Sequence, residues 1–87
     1  MHELGGAQSI FDIVRAYVPV DRAPALREVR IRVGDVSGVL VESLEFCFGV
    51  AVAGTPYDSA VLAVDHVAGD DLQVVHVELD EGEEVTA

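Results

Sequence analysis

The chain has 87 residues, 51% of them apolar, and a formal charge of −11 with five arginines and no lysine. That length suits one domain with a small hydrophobic core, and the acidity disfavours phosphate backbones and anionic bilayers, so neither nucleic acid nor membrane is an expected partner. Cys47 is the single cysteine, which excludes an internal disulfide and any CxxC metal knuckle.

Ala7, Ile10, Phe11, Val14, Tyr17 and Val18 repeat at helical spacing, with Gln8, Ser9, Asp12 and Arg15 between them. This predicts an amphipathic helix ended by Pro19 and the segment from Asp21 to Pro24. Gly5 and Gly6 weaken its first turn through their backbone entropy, so Met1 to Leu4 is expected to be a mobile lead-in. From Ala25 to Val33 the period becomes two. Val29, Ile31 and Val33 alternate with Glu28, Arg30 and Arg32, as in a strand with one solvated face. Arg30 and Arg32 suit an edge or a surface.

Gly34, Asp35, Ser37 and Gly38 make a turn, and a second helix fits Leu40 to about Val52. Gly54 and Pro56 stop it, a glycine past the end and a proline behind it. Two β-rich runs follow, Ala60–Val67 and Leu72–Leu79, separated only by residues 68–71, which reads as a hairpin connection. The apolar phase slips within the second run, which predicts a bulge near Val74 or a strand buried on both faces. The acidic tail, residues 80–87, is expected to fray. The order α-β-α-β-β predicts an α+β fold, a three-stranded sheet with two helices packed on one face.

His2 stands out chemically. In an amine-terminated Met1-His2-Glu3, the terminal amine and the His2 amide nitrogen close one chelate ring around a metal. The His2 imidazole closes a second, and the Glu3 amide adds a further nitrogen. Such a set favours square-planar Ni(II) or Cu(II), and binding releases protons. Alone, a Met-His start is more commonly a frayed, exposed histidine. His66 and His76 would face each other across the expected hairpin, and alternation is expected to set Asp65 and Glu78 on faces opposite their neighbouring histidines. Two sheet-face histidines without a metal are the commoner case. No serine has a nucleophile-elbow context and no glycine loop cradles phosphate.

The opening MHELGGAQSIFDIV is similar to the start of the HypA/HybF hydrogenase nickel-incorporation family, which typically begins MHE before an Ala-Gln-Ser-Ile helix. VRIRVGDVSGV, LEFCFGVAVAGTP, VLAVDHVAG and the closing LQVVHVELDE resemble the family in the same order, so the resemblance runs from Met1 to about Asp80. It implies a nickel site at Met1 (through its amine), His2 and Glu3. It also implies delivery of Ni(II) to the large subunit of [NiFe]-hydrogenase, or to urease in some members, with a nickel-loading GTPase. The family catalyses no covalent reaction, so no enzyme is expected. A cytoplasmic location is the default, since no apolar run approaches the roughly 20 residues that span a bilayer and no signal-like start is present.

The chain departs from the family at one place. Members carry a zinc-binding loop of two CxxC knuckles between the last two strands, and Ala68-Gly69-Asp70-Asp71 stand there instead. No zinc is expected, because a tetrahedral structural site needs four Cys or His ligands. The expectation is one HypA-like domain over residues 1–87, lacking the zinc domain. The alternative is a metal-independent adaptor or regulatory module that has lost the chaperone role.

Overall fold

The computed structural model describes residues 2–80 and 84–86. Helix α1 spans His2–Tyr17, a short 3-10 turn Ala23–Ala25, strand β1 Leu26–Gly34, helix α2 Val41–Val52, β2 Val61–Val67, β3 Leu72–Leu79 and β4 Glu84–Thr86. The expected order α-β-α-β-β is there, and the fold is α+β. A short fourth strand is added where fraying was expected: β4 pairs antiparallel with β3, setting Val85 opposite Val77. The sheet is mixed, in the order β2-β1-β3-β4.

Helix α1 starts earlier than its glycines suggest. Helical backbone begins at His2, so residues 2 to 4 form its first turn rather than a mobile lead-in; Met1 lies outside the described residues. Glu3 in that turn interacts favourably with the positive end of the helix dipole, which offsets part of the glycine cost. One glycine also has a packing role. A Cβ on Gly6 would sit in contact with Leu44 and Leu72, so this turn lies close against α2 and β3.

Both helices bury their apolar stripes on one face of the sheet. Ala7, Ile10, Phe11, Val14 and Val18 meet Leu44, Phe48 and Val52 above Val29, Ile31, Val33, Leu62, Val77 and Leu79. Tyr17, placed on the helical stripe by spacing, is instead half exposed. Cys47 is partly buried and packs against this core. Tyr57 closes one end: its ring meets Phe11 edge-on at 5.4 Å and its hydroxyl donates to the Val18 carbonyl oxygen at 2.7 Å.

The strands are not connected as a hairpin. β1 lies between β2 and β3, parallel to the first and antiparallel to the second. Parallel neighbours need a crossover, and α2 supplies it. Residues 68–71 therefore pass over the end of β1 instead of turning between adjacent strands. The crossing is tight: a Cβ on Gly34 would stand 2.3 Å from the Gly69 carbonyl oxygen and 2.7 Å from the Asp70 nitrogen. Gly34 N–H donates to the Asp71 carbonyl at 2.8 Å, and Val36 N–H to the Gly69 carbonyl at 3.0 Å. The Asp35 carboxylate accepts from Gly69 N–H at 3.2 Å. Gly69 itself takes φ of 114°, open to glycine and rarely to other residues.

The phase slip in β3 is a bulge. His76 pairs with Arg30 and Val74 with Ile31, which leaves Val75 as the extra residue. A second irregularity at Arg27 separates the pairs Leu26–Leu79 and Glu28–Glu78. The Val75 bulge lets Val74 reach the core side with Val77 and Leu79, and the Arg27 irregularity lets Leu26 do so with Val29.

Candidate metal centre

The expected nickel ligands open α1. The first N–H groups of a helix have no intrahelical acceptor, so the backbone nitrogens of His2 and Glu3 lie outside the helical hydrogen-bond ladder. That suits the proposed chelate, since amide nitrogens that bind a metal must give up their protons. The Glu3 carboxylate accepts the backbone N–H of Leu40 at 3.2 Å, and Leu40 is the residue that caps α2. One charge-assisted contact thus ties the starts of the two helices together. The side chain of His2 and all of Met1 lie outside the described residues, so Glu3 is the one predicted ligand whose side chain is placed.

Beside this junction runs a groove lined by Val39, Leu40, Val41, Glu42, Ser43 and His66. His66 is exposed and shares the phase of buried Leu62 along β2, so it projects at the rim of the helix-covered face. His76 lies on β3, opposite Arg30. The two histidines do not face each other, because β1 separates their strands. The pairing expected across a hairpin fails for that topological reason.

The opposite face of the sheet carries a charged cluster. Arg30 is on the central strand, not at an edge, and bridges Asp65 at 2.9 Å and Glu28 at 3.0 Å. The Glu28 carboxylate first, and then Asp65, hold its guanidinium above the ordinary arginine range. Asp65 and Arg30 meet across neighbouring parallel strands. At the end of this face, Arg27 pairs with both oxygens of Asp80, and its hydrogen bond holds that carboxyl below the usual range.

Glu28, His76 and Glu78 are each half-buried, and each offers a ligand atom within 4.8 Å of the others. Expecting Glu78 opposite His76 was an error of phase, since residues two apart on a strand share a face. Two signals bore on this cluster. The i, i+2 spacing of His76 and Glu78 was readable from sequence; the position of Glu28 depends on the β1–β3 register, which was not.

A family profile described as hydrogenase/urease nickel incorporation, metallochaperone, HypA, matches residues 1–72. The chain belongs to the HypA family. A hydrogenase maturation factor HypA from Chlorobium phaeobacteroides (strain BS1) is 45% identical over 67 residues, covering 77% of this chain and 59% of that protein. Its counterpart from Streptomyces avermitilis is 40% identical over 70 residues, covering 79% of this chain and 53% of its own length. One from Geotalea daltonii is 39% identical over 67 residues, covering 77% and 58%. The chain thus spans less than two thirds of each of these relatives.

The family match includes the opening Met1-His2-Glu3 and runs through β2 and the 68–71 crossing to the first residue of β3. Among the described residues, no helix is long and apolar enough to cross a membrane.

Proposed function

We propose that this chain is a nickel-binding accessory domain for hydrogenase maturation, holding Ni(II) as cargo at Met1, His2 and Glu3. The observation that carries the reading is a HypA-family match that begins at residue 1, with His2 and Glu3 opening a well-packed helix. The amine of Met1 supplies one nitrogen, and the His2 amide and imidazole supply two more. The Glu3 amide completes a planar set. The Glu3 carboxylate stays with Leu40 N–H and fixes the direction of the turn.

The −11 charge suits this cargo, since an acidic surface concentrates divalent cations near the site. Binding weakens as pH falls, because the amine, imidazole and amides must all lose protons to ligate. Delivery goes to the large subunit of [NiFe]-hydrogenase or to the urease system, with a nickel-loading GTPase as the partner that accepts or exchanges the ion. The role is one of transfer, without covalent chemistry. Residues 68–71 stand where the family carries its zinc loop, so this reading includes no structural zinc at that crossing.

The test is isothermal titration of Ni(II) into protein whose first residue is Met1. Two variants run beside it: His2→Ala, and a form extended by residues ahead of Met1. Loss of one Ni(II) equivalent in both supports the reading, because the extension removes the terminal amine without touching a side chain. Binding unchanged in both sinks it and favours a metal-independent adaptor on the same fold.

A further inference from the structure

We infer that the helix-free face of the sheet holds a second divalent-metal site, made by Glu28, His76 and Glu78, for a first-row transition ion such as Zn(II), Co(II) or Ni(II). This site is separate from the amino-terminal one, and strand register assembles it. Glu28 on β1 stands directly opposite Glu78 on β3, and β4 sets Glu84 opposite Glu78 on the other side. Glu28 and Glu78 therefore set two carboxylates side by side across neighbouring strands. Like charges directly opposite each other in a sheet are unfavourable, and partial burial weakens the screening that would relieve them. In the next row His76 stands between Arg30 and Thr86.

The donor chemistry fits such an ion. Imidazole nitrogen and carboxylate oxygen are ordinary ligands for zinc and its neighbours, whereas an all-oxygen set would have suited magnesium or calcium. Ligands at roughly 2.1 Å from an ion lie at most about 4.2 Å apart. Ligand atoms within 4.8 Å of one another thus need only a small inward movement, which the long glutamate side chains can make. The backbone beneath is fixed by hydrogen bonding along β1 and β3. The open face leaves room for water to complete the coordination sphere.

Arg30 is the competitor. Its guanidinium holds Glu28 at 3.0 Å and Asp65 at 2.9 Å, so an ion that takes Glu28 shifts Arg30 toward Asp65. This gives the site a signature that a diffuse acidic surface lacks: removing a positive charge that touches one ligand tightens binding. Nonspecific attraction would rise only by the general effect of one charge, equally for any arginine on the face.

The experiment uses the full chain carrying His2→Ala, which removes the amino-terminal imidazole. Co(II) is titrated and followed by its visible d–d absorption, with circular dichroism confirming that each variant is folded. The expected result is one saturable equivalent. Adding His76→Ala or Glu78→Gln loosens it at least tenfold, adding Arg30→Gln tightens it severalfold, and adding Arg32→Gln or His66→Ala changes it little. Glu78→Gln keeps the shape of the side chain, so its loss of affinity cannot be charged to misfolding. No saturable Co(II) binding in the His2→Ala chain overturns the inference. So does binding that survives His76→Ala, follows His66, or responds alike to Arg30→Gln and Arg32→Gln.

Discussion

The two faces of the sheet are built from the same alternating strands and perform different work. On the helix-covered face, Val29, Ile31, Val33, Leu62, Val77 and Leu79 interlock with both helices, and each is nearly or fully buried. On the other face, Glu28, Arg30, Asp65, His76 and Glu78 remain partly in contact with water and meet through charge. Apolar packing is short-range and steric, so the first face tolerates little change. Charge pairing in partial solvent is weak and rearrangeable, so the second can accept an ion or lose a partner without unfolding the domain. Stability and adaptable chemistry are thus separated by the thickness of one strand.

The largest break in that comparison is Ile31→Ala. Ile31 is fully buried on the central strand, and truncation there is expected to cost about 4 kcal/mol, counting lost transfer energy and the cavity left behind. A domain of this size has about 4 to 13 kcal/mol in total, so urea unfolding should show a much earlier midpoint. An Ile31→Ala protein as stable as the parent would mean that the covered face is not the stabilising one.

Gly34→Ala comes next. A methyl group there would overlap the Gly69 carbonyl and the Asp70 nitrogen, both backbone atoms that cannot rotate away. Displacing the crossing is expected to cost about 2 to 3 kcal/mol by the ordinary penalty for overpacking. Amide exchange should quicken at Gly34, Asp35 and Val36, whose N–H groups donate into residues 67–71. A neutral substitution would show that the crossing is looser than its geometry.

The smallest effect belongs to the charged periphery. Arg27 holds the Asp80 carboxyl below its usual range, so the native state binds a proton there less readily than the unfolded chain. The stabilisation is therefore present above the ordinary carboxylate pKa and is lost as pH falls through the depressed native value. Asp80→Asn should lower the melting temperature only slightly at neutral pH, and the gap from the parent should close below about pH 4. A gap that widened in acid would contradict the sign. A large gap at neutral pH would contradict the contrast between the faces, since both partners are exposed.

What was legible in the sequence was local. The spacing of Ile10, Phe11, Val14 and Val18, and of Leu44, Phe48 and Val52, specifies two helices because each repeat places apolar side chains on one stripe. The alternation from Glu28 to Val33 specifies a strand with unlike faces, and the phase slip near Val74 left a bulge or a doubly buried strand, which the β1–β3 register resolves as a bulge at Val75. The opening Met1-His2-Glu3 suggested metal chemistry because its ligands are neighbours along the chain.

Tertiary structure alone decided which strands are neighbours. Four residues between two strands suit a hairpin, yet β1 occupies the space between β2 and β3, and Gly34 makes room for the crossing. That choice separated His66 from His76 and brought Glu28 beside His76 and Glu78, fifty residues along in the sequence. Helix propensity at Gly5 and Gly6 argued for a loose start. Contact of the first turn with Leu44 and the Glu3–Leu40 hydrogen bond instead hold it in helix. Local sequence fixes the period of an element through steric and apolar patterning. Which elements meet depends on burying every apolar face at once, and that is a property of the whole chain.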